Sequence, residues 1–238
     1  MLNVGWLTAA AAMWRRGDDA ELPFRIPVPA FVIETGAERI LVDTGLSPAA
    51  VDDAAARYGS STARLFEFEQ EASVADQVDV TTLTRVVLTH LHFDHAGGLA
   101  LLPPSLPVVV QRREWEAAHD DAAIARNFYM PVDYAAIEGQ VVLVDGDHDL
   151  LGDGSIRLLS TPGHTPGHQS VQVGERLILA GDVIHFASTL DDKRLPAMGD
   201  DHAVQAASAD RLRALRDGGA TVLPGHDPEV LRPGPLSP

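Results

Sequence analysis

Residues 88–99 read LTHLHFDHAGGL and hold His90, His92, Asp94 and His95 within six positions. Imidazole and carboxylate are the side chains that ligate divalent cations without sulfur. Gathering several ionisable groups at a buried edge is costly unless a cation compensates them. The spacing therefore predicts a metal site. If the segment leaves its strand extended, His90, His92 and Asp94 share one side and His95 points elsewhere. One loop would then feed two neighbouring centres, with His90 and His92 at one and Asp94 and His95 at the other. Gly97 and Gly98 are expected to let the backbone turn sharply straight after.

Three more candidates sit beyond strand-like runs. STPGHTPGH places His164 in a loop shaped by proline and glycine, LILAGDV places Asp182 after a glycine, and TVLPGHD places His226. Each motif alone is weak. Together they give five histidines and two aspartates leaving strand ends, and loops at one end of a sheet converge where sites are built. The chain has no cysteine and no G-x-S-x-G stretch. That removes a thiolate nucleophile, a disulfide framework, a zinc finger and a serine elbow.

The elements that must position these groups follow from periodicity and punctuation. Strands are expected at 26–34 and 39–43, joined by the turn TGAE, and at 85–89, 108–111, 141–144, 156–160, 169–173, 177–179 and 220–223. Residues 6–14 are expected to be a first strand plus a loop. Helices are expected at 49–58, 73–78, 96–102 (closed by Pro103-Pro104), 114–119, 121–127 and 203–216. Strands and helices occur in both halves, which predicts two sheets packed together with helices outside rather than one parallel wound sheet. No linker or repeat interrupts the chain, so one domain over 1–238 is expected, with RPGPLSP as a loose tail.

The 238 residues can bury a sizeable core. Eighteen Lys and Arg against 34 Asp and Glu give a net charge of −16. A field of that sign disfavours nucleic acid and anionic lipid and suits a small neutral substrate. The apolar stretch Trp6–Trp14 lacks a basic segment ahead of it and is too short to span a membrane. A cytoplasmic protein without nucleic-acid or membrane partners is expected, and a homodimer is compatible with it.

HLHFDH followed by His164, Asp182 and His226 in this order resembles the metallo-β-lactamase fold superfamily, and the likeness spans nearly the whole chain, VDTG at 42–45 included. HLHFDHAGG, TPGHTPGHQS and GHDPE are similar to the N-acyl homoserine lactonases within it. The resemblance implies an α/β (α+β) chain folded as a four-layer αββα sandwich of two mixed sheets with outer helices. It also implies two divalent ions. His90, His92 and His164 would hold one, Asp94, His95 and His226 the other, and Asp182 would bridge them, with Asp43 supporting the loop from behind. Zinc suits the donors, and iron, manganese or cobalt would also be accepted. Two such ions would lower the pKa of a shared water, making a bridging hydroxide the nucleophile that opens a lactone ring. Asp94 would carry a proton to the leaving alkoxide.

One position departs from the pattern. Lactonases of this group often have a tyrosine three residues after the bridging aspartate, and here GDVIH puts His185 there. His185 is expected to take a catalytic role by donating a hydrogen bond to the developing oxyanion. The change also keeps open an arylesterase or organophosphate triesterase on the same two-ion site. An iron oxidoreductase on this scaffold would need a flavin module for which there is no room, or only one ion. His119, His148 and His202 read as surface residues, and His168 as either a support for the site or a structural residue. Trp6, Trp14, Phe24 and the segment 128–134 are candidates for an acyl pocket, with core packing the stronger explanation for each. The loops 9–24, 59–72 and 186–200 are expected to shape that pocket.

Overall fold

A computed structural model describes residues 1–236. Among the described residues, twelve strands form two mixed sheets. They are β1 (Leu2–Ala10), β2 (Pro23–Thr35), β3 (Glu38–Val42), β4 (Glu67–Glu69), β5 (Arg85–Val87), β6 (Val108–Gln111), β7 (Val141–Val144), β8 (His148–Asp149), β9 (Ile156–Ser160), β10 (Gln169–Val173), β11 (Leu177–Leu179) and β12 (Thr221–Leu223). The first sheet has the order β4-β1-β2-β3-β5-β6-β7, antiparallel as far as β3 and parallel from there to β7. The second has the order β12-β11-β10-β9-β8, with β12 alone parallel to its neighbour.

The strand alternation sorts the core into layers. Ile40 and Val42 of β3, Val87 of β5 and Val109 of β6 face Ile156, Leu158, Val171, Leu177, Leu179 and Leu223 of the second sheet. Their neighbours Leu41, Val86, Val108 and Val110 pack the other way, against Ala96, Leu99, Ala118 and Ala123 from short helices. Ile178 of β11 turns outward to Ala209 and Leu212 of the helix His202–Asp217. The result is helices, sheet, sheet, helix, as the resemblance implied.

Several helices differ from expectation for identifiable reasons. The alanine-rich run 49–58 is two pieces, Pro48–Asp52 and Ala54–Tyr58. Asp53 breaks it at φ −152° and caps the second piece by accepting from the Ala56 amide. The run 96–102 is not a helix. One turn spans Phe93–Ala96, and a 3₁₀ turn follows at Leu99–Leu101. Gly97 (φ −61°, ψ −28°) and Gly98 (φ −85°, ψ 0°) make the expected turn, of type I, which needs no left-handed backbone. A Cβ on Gly97 would lie 2.5 Å from the Ser47 amide, and one on Gly98 would lie 2.3 Å from the Thr44 carbonyl oxygen. The two glycines let this segment close against the VDTG loop. Residues 11–14, expected as loop, form a helical turn, Ala11–Trp14.

The tail is tied down at Gly234, which exchanges hydrogen bonds with Met1 at 2.8 and 3.0 Å. Leu231 is buried. Ser237 and Pro238 of the expected loose end lie outside the described residues. Among the described residues, no helix is long and apolar enough to cross a membrane.

Candidate metal centre

The site forms where the C-terminal ends of strands from both sheets open onto one another. His90 and His92 follow β5, His164 follows β9, Asp182 follows β11, and His226 follows β12. The second sheet pins the first of these loops. The Gln169 amide donates to Thr89 O at 2.9 Å, and its side chain donates to Leu88 O at 2.8 Å. All seven expected donors are buried.

They gather into two adjoining groups. Atoms of His90, His92 and His164 lie within 4.8 Å of one another, and so do atoms of Asp94, His95, Asp182 and His226. Asp182 faces both. Its Oδ2 lies 3.4 Å from His164 Nε2, and its Oδ1 lies 3.3 Å from His95 Nε2 and 3.1 Å from His226 Nε2. The division of His90 and His92 from Asp94 and His95 matches expectation, but its cause does not. His92 is extended, with ψ 156°, and caps a helical turn in whose first residues Asp94 and His95 lie. A change from extended to helical backbone separates the pairs, not strand alternation.

Supporting contacts hold the rings by their outer nitrogens, as metal-ligating histidines usually require. His95 Nδ1 lies 2.8 Å from Asp43 Oδ2, and His226 Nδ1 lies 2.8 Å from Pro27 O. Asp43 also accepts from the amide and hydroxyl of Thr89, both at 2.8 Å. It holds a left-handed φ of 58°, uncommon for a residue with a side chain. His168 Nε2 accepts from the Asp182 amide at 3.0 Å, so this histidine supports the bridge position.

Glu114 carries no signal in the sequence, where QRREWE reads as a solvated helix start. The structure buries it fully. It accepts from the Leu91 amide (2.9 Å), the Tyr129 hydroxyl (3.0 Å), the Thr165 hydroxyl (2.7 Å) and the Gly167 amide (3.0 Å). It thereby joins the loop of His90 and His92 to the loop of His164. Gln205 is a second hidden support, donating to the carbonyls of Asp182 and Val183.

The protonation pattern divides the site. Burial pushes the pKa of His90, His92 and His164 down, that of His92 to about 3, leaving neutral rings with free lone pairs. Burial also opposes charge on His95 and His226, but nearby carboxylates, Asp182 first, outweigh it and raise both. Burial opposes the charge on Asp182 too, and the facing rings of His226, His95 and His185 hold it well below the ordinary carboxylate range. The Nε2 atoms of His90, His92 and His95, His164 Nδ1 and Asp182 Oδ1 are buried without a hydrogen-bond partner. A pocket of unpartnered imidazole nitrogens around a carboxylate fits cations that displace what protons it holds.

A cavity of about 10 Å³ touches His92, Asp94 and Asp182 and is roofed by Trp14, Phe66, Phe128 and Met198. Each of the three expected loops contributes one wall residue: Trp14, Phe66 and Met198. Of the aromatic candidates, Phe128 lines the cavity too. Tyr134 is buried against Ala118 O, Trp6 lies under the Arg25 guanidinium, and Phe24 lines a separate cavity of about 330 Å³ with Phe186. His119 and His148 are exposed and His202 is half-buried.

Two sheets opening onto a His- and Asp-lined centre define a family. The chain belongs to the metallo-β-lactamase superfamily, whose family model matches residues 24–226. Among curated proteins it is 32% identical to the N-acyl homoserine lactonase AttM of Azorhizobium caulinodans, covering 87% of this chain and 84% of that one. It is 30% identical to an N-acyl homoserine lactonase of a Bacillus species, with the same coverage. Among solved structures it resembles an N-acyl homoserine lactone hydrolase with the product N-hexanoyl-L-homoserine bound at its catalytic metal centre. That likeness has a TM-score of 0.83 and 26% identity and covers 96% of this chain and 92% of the other.

Proposed function

We propose that residues 1–238 form one hydrolase domain, a dinuclear metal-dependent lactonase that opens the ring of N-acyl homoserine lactones or similar lactones. The observation that carries this reading is the double donor cluster, buried, with Asp182 of one group facing His164 of the other at 3.4 Å and with several polar atoms left unpartnered. His90, His92 and His164 would hold one ion, and Asp94, His95 and His226 the other, with Asp182 shared. Zinc is the ion proposed first, because imidazole and carboxylate donors suit it.

A pair of divalent cations supplies Lewis acidity toward a carbonyl oxygen and brings the pKa of water toward neutrality. The chain supplies the rest. Asp94 would be the proton carrier; in support, it lines the cavity, and its Oδ2 lies 3.5 Å from His226 Nε2 and 3.7 Å from His95 Nε2. Hydrolysis adds water across the ring C–O bond, and Asp94 carries the proton lost by the attacking water to the departing ring oxygen. Trp14, Phe66, Phe128 and Met198 exclude bulk water and offer apolar surface to an acyl chain. The cavity holds about one water, so these side chains must shift when a substrate enters.

The test is metal analysis combined with a substrate panel. About two ions per chain and ring opening of acyl homoserine lactones, faster than hydrolysis of aryl esters or phosphotriesters, are expected. Fully loaded protein that turns over phosphotriesters but no lactone would reverse the reading.

A further inference from the structure

His185 stands outside the seven-donor set, yet it is built like a member of it. Its Nδ1 lies 3.1 Å from Trp14 O and its Nε2 lies 3.2 Å from Asp182 Oδ2. His226 repeats the arrangement, with Nδ1 2.8 Å from Pro27 O and Nε2 3.1 Å from Asp182 Oδ2. A backbone carbonyl only accepts, so Nδ1 carries the proton in both rings. A neutral His185 then presents a lone pair at Nε2, not an N–H. In that form it does not give a hydrogen bond to an oxyanion from that atom, the role expected for it as a substitute for tyrosine.

The lone pair faces a carboxylate oxygen, which is also an acceptor. Acceptors 3.2 Å apart need positive charge between them, a proton on Nε2 in the metal-free protein or a metal cation in its place. Among the described residues, the ion-pair partners of Asp182 are all histidines, with no lysine or arginine among them. The ring is 1% exposed, so water does not screen the contact. Donor atoms of His185, His164 and Asp182 lie within 4.8 Å of one another, the same closeness that defines the other two groups. The ring is held from behind too, by Trp14, whose indole centroid is 6.1 Å away.

We propose that His185 is a metal ligand: through Nε2 it joins His90, His92 and His164 around the ion that shares Asp182 Oδ2. This rests on the two-ion reading above. The histidine at this position would then shape the coordination of one ion and not act on the substrate directly.

The test counts imidazoles in the unmodified protein loaded with Co²⁺. In proton NMR in water, each buried cobalt-bound ring gives one exchangeable, far-shifted N–H resonance. His90, His92, His95, His164, His226 and His185 together give six. His185→Phe is expected to remove one resonance and to weaken one ion about tenfold or more in chelator competition. Circular dichroism of the metal-free variant checks its fold, and the count on the unmodified protein decides if the variant does not fold. Two bound ions with five resonances overturn the ligand assignment and leave the two-ion reading standing. So does a folded His185→Phe protein that keeps both affinities. Fewer than two bound ions in the unmodified protein overturn both.

Discussion

Glu114 shows how much of this site depends on a residue that would touch neither ion nor substrate. Burial raises its pKa, while the hydrogen bonds it accepts, that of Thr165 first, oppose the rise. Truncation to alanine would strand the amides of Leu91 and Gly167 and the hydroxyls of Tyr129 and Thr165 in a dry interior. Each orphaned buried group costs about 1–3 kcal/mol. Glu114→Ala is therefore expected to lose several kcal/mol in chemical denaturation and to bind its first ion more weakly, because His92 and His164 are no longer held together. Glu114→Gln keeps one carbonyl acceptor for the Leu91 side or the Gly167 side and should fall between. Wild-type stability and metal content in Glu114→Ala would show that the two loops are held by packing alone.

At the scale of elements, the loop after β11 makes the same point through backbone. Gly181 has φ 56°, and a Cβ there would lie 2.7 Å from His168 Nε2 and 3.1 Å from Thr89 Cβ. Gly181→Ala is expected to destabilise the fold by about 1–3 kcal/mol and to displace Asp182, read as weaker metal retention on dialysis. Retention equal to wild type would mean that the loop absorbs the methyl group. The contrast with what the sequence discloses is instructive. β6, β7, β9, β10 and β11 could be bounded residue for residue, because apolar runs between glycine and proline carry a strong signal. The candidate donors were legible because His and Asp bunch where such runs end. The supports were not. Glu114 and Gln205 are joined to the site only by contacts across more than twenty residues, and no local pattern records such a partnership. The helical turn at Phe93–Ala96 is too short to carry a period, and it docks on the VDTG loop through bonds from Thr44 N to His95 O and from Gly98 N to Gly45 O.

For the whole molecule, the buried histidines set the stability of the metal-free protein against pH. An unfolded histidine titrates near pH 6.5. Burial, the first cause for each, lowers the pKa of His90, His92, His164 and His168, with His92 and His168 near 3. Below about pH 6.5 the unfolded chain therefore takes up protons that the folded chain refuses, and stability falls with falling pH. Each such group contributes about 1.4 kcal/mol per pH unit at full effect. His95 and His226 work in the opposite sense. Their folded values are raised by the carboxylates, Asp182 first, so their contribution is complete below about pH 6.5 and is lost as pH rises through those values. Asp182, held low, loses its contribution only as pH falls through its folded value, far down the acid side. The chelator-treated protein should thus melt highest near pH 6.5 and lower on both sides, with the acid limb steeper because four rings act there against two. Adding ions raises the alkaline limb most. Ligation requires His95 and His226 to release their protons, so affinity and the stabilisation it brings grow with pH, and the optimum moves up. Melting curves across the range, with and without metal, measure both limbs. A metal-free protein whose melting temperature climbs steadily above pH 6.5 would show that the carboxylates do not hold protons on His95 and His226, and that the second ion's place is not prepared by charge.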